Sequence, residues 1–519
     1  MTSTPGALTP GSPTPPIAIQ GGAAAASARL STSRVEVPDA VVERLRAAVD
    51  DVSTDAGQVG QASQDWWPLA MCWATGGELA GRAAVVVRPT DAGQVAEVAR
   101  ICNEAGIPLT AAAGRSGVCG NAVPVFGGVV LDMCGLSGIR SVDDDSLTVD
   151  VAAGTFGDVF EATLGAEHGL TVGHWPQSMA LSTVGGWVAC RGAGQYSTRY
   201  GKIEDIVVGL DVVLADGRTI TTGGQPRQAV GPDLTQLIVG SEGTLGIVTC
   251  ARLKAHPKPT FDDRLAFGFE TFADGLDACR RILRRGATPA VLRLYDHIES
   301  HRNYQLDTNV LLVLDEGDPD IVDATMAVVD QECSIGGTEL DADLVERWMG
   351  HRNDVAALED LISKGYVVDT MEIAAPWSRL DDIYREALAA IGGIDGVLAV
   401  SAHQSHAYLD GACLYFTFAG QPPAGDASGG DESEARDGMA ATTAFYREIW
   451  DRGTRAVLAN GGALSHHHGI GLNRGRFVAD ALGGGFDVLT AVKQALDPNG
   501  ILNPGKLGLP SPFGRVDGW

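Results

Sequence analysis

The 519-residue chain is predicted to be an α+β protein of several domains. Three observations carry this. β-Branched strand-like runs alternate with helical spacing through the first half. Pro257-Lys258-Pro259 then breaks the pattern ahead of a second region of mixed helices and strands. The last part is helical around a Gly-bounded histidine run.

Taken in order, residues 1–33 are rich in Pro, Ala, Ser, Thr and Gly and read as disordered. Residues 34–81 form a helical N-terminal segment, with a helix at Asp39–Val49 and an aromatic patch at Asp65-Trp66-Trp67-Pro68. Ala84–Arg88 is a strand. Pro89-Thr90-Asp91 then caps a helix to about Asn103, with Val95, Val98, Ile101 and Cys102 at helical spacing. Further strands are expected at Ile107–Thr110, Val129–Asp132, Leu147–Val151, Ile206–Leu214 and Leu245–Leu253, with Asp216-Gly217 as a hairpin turn. These make a domain over residues 82–259. Residues 260–454 form a second, α+β domain with helices at Leu276–Arg285, Ile321–Asp330, Arg379–Ile391 and Ala440–Arg452, and Gln421–Asp437 as a solvated loop. A C-terminal segment, 455–519, carries the histidine run and a helix at Phe486–Leu496.

Composition narrows the function. A net charge of −27 argues against a nucleic-acid binder and against attraction to anionic lipid. An anionic substrate must therefore meet a local basic pocket. Nine scattered cysteines without a C-x-x-C pair are neither a disulfide framework nor a zinc motif, and fit a reduced, cytoplasmic setting. No stretch reaches the ~18 apolar residues of a membrane span.

Two features carry chemistry. One is Ser465-His466-His467-His468-Gly469-Ile470-Gly471, three of the eleven histidines side by side. Imidazole titrates near neutrality, so the run can hold proton donors and acceptors together. In an extended segment His466 and His468 would face one way and His467 the other. A metal site and a polar loop are the alternatives.

The other feature is a set of four small-residue segments: Ala111-Ala112-Ala113-Gly114-Arg115-Ser116-Gly117 with Cys119-Gly120; Gln177-Ser178-Met179-Ala180-Leu181-Ser182-Thr183; Cys190-Arg191-Gly192-Ala193-Gly194; and Gly240-Ser241-Glu242-Gly243-Thr244-Leu245-Gly246-Ile247-Val248. Small residues let backbone amides converge on phosphate oxygens. None opens a helix as G-x-G-x-x-G after a strand, so a Rossmann fingerprint is absent.

On these segments residues 82–255 resemble the FAD-binding domain of the vanillyl-alcohol-oxidase, or PCMH-type, flavoproteins, with Gly240 to Gly246 the strongest match. Ala113 and Arg115 depart from the usual loop. The resemblance implies a two-subdomain FAD-binding domain, an α+β cap and a helical C-terminal segment, with FAD held by the residues just named from 111–117, 177–183, 190–193 and 242–248. Cys119 stands where some members attach flavin through histidine, so FAD is expected to be non-covalent.

The branch is indicated further on. Hydroxyacid dehydrogenases of this family carry H-x-G-D-G-N-L-H and S-G-E-H-G-I-G. Here His406-Ala407-Tyr408-Leu409-Asp410-Gly411-Ala412-Cys413-Leu414-Tyr415 puts Tyr415 for the second metal histidine, and the histidine run puts His467 for the metal-binding Glu. That pairing resembles the alkylglycerone-phosphate synthases of ether-lipid synthesis, and the likeness spans about residues 65–510. It implies no metal and a flavin N5 that serves as covalent handle. It also implies His467 for proton transfer at substrate C1, His466 and His468 orienting it, and Tyr415 as acid/base partner at the leaving or entering oxygen. Arg293 would shape the flavin-facing wall and Arg352 bind phosphate. His174 and Trp175 would pack near the flavin. Small-molecule and lipid substrates, peripheral membrane contact and a homodimer are expected. The rival reading is an FAD-linked oxidase or dehydrogenase of a hydroxyacid or other alcohol.

Overall fold

The computed structural model describes residues 11–30, 33–423 and 432–516. Three sheets organise it. The first is four-stranded, in the order Val52–Ser53, Val85–Val87, Val129–Asp132, Leu109–Ala112. Its three long strands pair in parallel, which requires crossovers, and helix Ala92–Ala105 supplies one. The sequence stops that helix cleanly: Asp91 accepts from the Gln94 N–H at the start, and Gly106 takes φ +64° at the end. Val95, Val98, Ala99, Ile101 and Cys102 face the sheet and are buried.

The second sheet is antiparallel, in the order Thr219–Gly223, Val207–Val213, Ile247–Lys254, Thr148–Ala152, Ile139–Asp143. The Asp216-Gly217 turn joins its first two strands, with Gly217 at φ +83°. These two sheets are the two halves of the first domain.

The third sheet has seven strands, in the order Gly337–Leu340, Phe261–Phe269, Asn309–Gly317, Val291–Tyr295, Val397–Ala407, Gly411–Gly420, Val367–Pro376. All its pairs are antiparallel. Helices Phe272–Arg284, Pro319–Cys333 and Trp377–Gly392 cover one face, and their apolar stripes share one core with Leu292, Leu294, Ala402, Leu414, Phe416 and Phe418. Fully burying side chains such as Phe416 and Phe418 stabilises the fold by roughly 1.5–3 kcal/mol each. Alternation along Gly411–Gly420 leaves Tyr415, Thr417 and Ala419 on the opposite, less buried face.

Several expectations are corrected. Residues 11–30 lie inside the stretch expected to be disordered, yet they pack against the body. Ser27–Ala28 pairs with Glu78–Leu79, and Ile17, Ala23, Ala26 and Leu30 are buried. The Arg82 guanidinium gathers the carbonyls of Ala23, Ala24, Ala26 and Ala56, so hydrogen bonds substitute for the bulky side chains the segment lacks. Residues 1–10 and 31–32 lie outside the described residues. The loop expected at Gln421–Asp437 is shorter, since helix Glu432–Ala459 begins within it; 424–431 lie outside the described residues. The segment 34–81 adds strand Val52–Ser53 to the first sheet rather than helices alone. The C-terminal segment returns to the first domain: Ile501 and Leu502 join its core, and Leu109 N–H donates to the Ile501 carbonyl.

Candidate active site

Four strands of the third sheet place four side chains in one row. Tyr295 pairs with His403, His403 with Tyr415, and Tyr415 with Glu372. Directly paired residues share a face. His403 and Tyr415 stack with centroids 4.8 Å apart and planes 19° apart.

Glu372 is the anchor of the histidine run. Its fully buried carboxylate accepts from the Ser465 hydroxyl at 2.8 Å, the backbone N–H groups of His466 and His467 at 3.3 and 3.1 Å, that of His468, and the buried Arg474 guanidinium at 2.8 Å. Burial pushes this carboxyl up. Arg474, His468 and the converging amides outweigh it and hold the group below the ordinary glutamate range. Three consecutive N–H groups on one acceptor require a turn, which corrects the extended segment expected here. The rings therefore cluster instead of alternating: His466 and His467 centroids are 5.1 Å apart, His467 and His468 4.5 Å. Tyr415 meets two of them, stacking on His467 at 6.1 Å and standing edge-on to His468 at 5.5 Å. Burial raises the Tyr415 hydroxyl's pKa and depresses those of the imidazoles, His468 to about 4 and His466 and His467 well below the usual value. The rings are neutral at pH 7, with lone pairs available.

A bulge adds a fourth imidazole. The register of Val397–Ala407 slips between Ser405 and Ala407, and His406 takes φ +58°. An extra residue in a strand re-aims its side chain. The His406 ring thereby stacks on His466 at 5.0 Å. Ligand atoms of His406, His466 and His467 lie within 4.8 Å of one another, close enough to hold a metal ion. His466 Nδ1 and His467 Nδ1 also bond each other at 2.9 Å, and the Lys202 ammonium donates to the His466 carbonyl at 2.6 Å.

The arginines form the far wall. Arg293 donates to the Tyr295 hydroxyl at 2.7 Å and to His403 Nε2 at 2.8 Å. Its donation makes Nε2 the acceptor, so the His403 proton sits on Nδ1, 2.9 Å from Glu299. Arg352 donates to the Tyr196 hydroxyl and lies over Trp175, Tyr196 and Trp348 at 5.1, 4.9 and 5.7 Å. Arg293 approaches the same Trp348 ring at 5.9 Å. Among the described residues neither guanidinium forms a direct ion pair, although the charges of Glu299 and Glu316 reach Arg293 and Arg352 from farther off. Gln195 donates to the Arg352 carbonyl at 3.0 Å and Gln177 to that of Asp354 at 2.9 Å, so this wall closes onto the first domain.

The four small-residue segments converge behind the row. A Cβ on Gly114 would lie 2.1 Å from the Leu181 carbonyl oxygen, so the loop 111–117 and the segment 177–183 touch through bare backbone. Thr183 caps the short helix Val184–Cys190, and Arg191 ends it at φ +60°. Glu242, expected to meet the cofactor, commits its carboxylate to the N–H groups of Ile470 and Gly471 and thereby ties the fourth segment to the histidine run. Arg115 sits at φ +56°, its guanidinium 3.4 Å from Asp132, and Ile247 and Val248 begin a strand. His174 is fully buried beside Trp187 and Gly192, and neither ring nitrogen has a partner. Burial holds it neutral, with a pKa of about 3. Bare backbone and an orphaned imidazole fit a ligand dense in hydrogen-bonding atoms, as FAD is. Cys119 is buried under Gly471, and burial raises its thiol pKa further.

Sequence reasoning missed Glu372, Arg474, His403, Glu299, Ser197 and Trp348. It quoted His406 and Tyr408 without a role. Glu372 stands two residues before Ala374-Ala375-Pro376-Trp377, a stretch that also resembles the alkylglycerone-phosphate synthases, and that proximity was the available signal.

Comparison with known proteins agrees with this architecture. Residues 83–223 match the FAD binding domain and residues 258–507 the C-terminal domain of FAD linked oxidases. The chain is 31% identical over 447 residues to the uncharacterized FAD-linked oxidoreductase YgcU of Escherichia coli (strain K12), covering 82% of this chain and 88% of that one. It is 27% identical over 472 residues to alkyldihydroxyacetonephosphate synthase of Dictyostelium discoideum, covering 83% and 74%. It is 28% identical over 443 residues to glycolate oxidase subunit GlcD of Bacillus subtilis (strain 168), covering 81% and 88%. Among solved structures, an alkyldihydroxyacetonephosphate synthase shares the fold at TM-score 0.73, with 22% identity and 96% and 90% of the two chains covered. p-Cresol methylhydroxylase shares it at 0.70, with 18% identity and 92% and 99% covered.

Proposed function

For a chain that belongs to the family of FAD-linked oxidases, we propose a transferase of the alkylglycerone-phosphate synthase type. It would exchange the acyl group on C1 of an acyl-dihydroxyacetone phosphate for a long-chain alcohol. The observation that carries this reading is Tyr415 set between His403 and Glu372 and facing the neutral His467 ring, where a metal-dependent hydroxyacid dehydrogenase carries metal ligands. FAD, which the four small-residue segments would hold, would supply the electrophilic and nucleophilic chemistry of its flavin N5 at C1 when bound.

The residues divide the remaining work. Arg352 and Arg293, neither of them in a direct ion pair among the described residues, meet the phosphate. His467 accepts the C1 proton through a neutral ring nitrogen. Tyr415 holds a proton near the oxygen that leaves with the carboxylate or enters with the alcohol. No electrons are gained or lost overall: one C–O bond breaks, another forms, and the alcohol's proton is released. Substrates of this class come from lipid, so peripheral membrane contact belongs to the same proposal, as does a homodimer. No helix among the described residues is long and apolar enough to cross a membrane.

A second reading, an FAD-linked oxidoreductase of a hydroxyacid, draws support from the 31% and 28% identities to YgcU and GlcD. Anaerobic mixing separates the two. The proposed transferase exchanges labelled fatty acid with acyl-dihydroxyacetone phosphate and keeps its oxidised flavin spectrum. Lasting bleaching by D-lactate or D-2-hydroxyglutarate, without such exchange, would establish the oxidoreductase instead.

A further inference from the structure

Between helices Asp343–His351 and Ala356–Ser363 the short stretch Arg352-Asn353-Asp354 crosses onto the first domain. Gln195 donates to the Arg352 carbonyl at 3.0 Å and Gln177 to that of Asp354 at 2.9 Å. Asn353 bonds in both directions. Its Oδ1 accepts from the Trp175 indole at 3.2 Å, and its Nδ2 donates to the Pro176 and Gln177 carbonyls at 3.2 and 2.8 Å. The Arg352 guanidinium adds ring contacts, lying over Trp175 and Tyr196 at 5.1 and 4.9 Å.

These partners adjoin two of the segments expected to hold FAD. Trp175-Pro176-Gln177 leads into 177–183, and Gln195-Tyr196 follows 190–193. The two stretches are also tied to each other. The Gln195 N–H donates to the Trp175 carbonyl at 2.8 Å, and a Cβ on Gly194 would lie 2.4 Å from the Trp175 nitrogen. Lifting the cap stretch therefore breaks its bonds to both segments at once. Arg293, by contrast, stands on strand Val291–Tyr295, held by the Tyr295 hydroxyl at 2.7 Å and His403 at 2.8 Å. Both guanidiniums approach the Trp348 ring, Arg293 at 5.9 Å and Arg352 at 5.7 Å. A phosphate gripped by both would staple the cap stretch to the sheet.

We infer that Asn353, with Gln177 and Gln195, is a latch: these positioning residues couple an anion on Arg352 to the two FAD segments, so that a phosphate-bearing substrate and FAD retain each other. The inference deepens the proposed function and rests on its assignment of phosphate to Arg352. The Gln177 side-chain nitrogen, in a segment expected to hold FAD, is committed to the cap. Coupling between two bound ligands is reciprocal and typically about 5–150-fold.

The test follows FAD release from the loaded, diluted protein by flavin fluorescence of the filtrate. Inorganic phosphate is the probe, chloride at equal ionic strength the control, and calorimetry measures phosphate binding. Phosphate should slow wild-type release at least about fivefold. Asn353→Ala, at an exposed position, should release FAD faster than wild type and lose the slowing while still binding phosphate. Gln195→Leu, which removes the bond to the Arg352 carbonyl, should do the same; should either variant purify without FAD, the other decides. Phosphate bound through Arg352 without effect on wild-type release, or slowing that persists in the latch variants, would overturn the inference and leave the phosphate assignment standing. No phosphate binding, or binding undiminished in Arg352→Gln, would remove that assignment and the inference with it.

Discussion

Individual side chains here work through neutrality. The net charge of −27 favours protonated imidazoles, yet burial depresses the pKa of all four in the cluster. Tyr415 is the complementary case, a phenol that burial keeps protonated. Tyr415→Phe deletes one hydroxyl, and the core face of its strand, Leu414, Phe416 and Phe418, is untouched. General acid–base loss predicts a fall of ~10²–10⁴-fold in rate with the melting temperature maintained. Near-normal rate would leave the histidines to carry both proton transfers. Glu372 behaves differently, since it is structural first. Glu372→Gln leaves the Arg474 charge buried without its carboxylate, and removing one partner of such a pair costs about 3–5 kcal/mol. Urea unfolding should show a loss of that order; an unchanged midpoint would mean that Arg474 finds another partner.

At the level of elements, the histidine run is held by a strand and not by its own conformation. Its shape was illegible in the sequence because the acceptor that folds it, Glu372, lies 93 residues earlier than Ser465. The same distance hid the bulge at His406, which nothing local announces. Local signals served well where local forces decide: Asp91 and Gly106 bound a helix, and Asp216-Gly217 turns a hairpin. The Pro/Ala-rich start misled because its packing uses backbone carbonyls and the distant Arg82. Strand Val367–Pro376 is also tied to helix Glu432–Ala459 through Asp369, which accepts from the Tyr446 hydroxyl at 2.5 Å and the Trp450 indole at 3.0 Å. Burial raises the Asp369 carboxyl to about 7. A group whose folded pKa lies above its unfolded value adds stability that is complete below about pH 4 and lost as pH rises through 7. The stability of Asp369→Asn relative to wild type should therefore rise between pH 4 and pH 8. A pH-independent difference would mean that Asp369 is ionised throughout.

Across the whole molecule, one surface joins the parts. The histidine run belongs to the C-terminal segment, its anchor Glu372 to the seven-stranded sheet, and its second clamp Glu242 to the FAD-binding domain. Domain assembly is thus also site assembly. The close approach of the small-residue segments was legible early because it needs residues without bulk, as where Gly114 meets the Leu181 carbonyl. The arginine wall was only half legible, since the Trp348 ring that brings Arg293 and Arg352 together appears only in the fold. With Cys119 buried and protonated beneath Gly471, acid or heat should release FAD to the supernatant; flavin retained by the precipitated chain would point to a thioether at Cys119.

The central claim is that this assembly moves protons and an alkoxy group without net oxidation. Incubating the FAD-loaded protein with acyl-dihydroxyacetone phosphate and a labelled long-chain alcohol tests it most directly, with flavin absorbance followed throughout. The account predicts label in an ether product, free fatty acid released in equal amount, and an oxidised flavin spectrum at the end. No labelled ether, together with stoichiometric flavin reduction by a hydroxyacid under the same conditions, would contradict it.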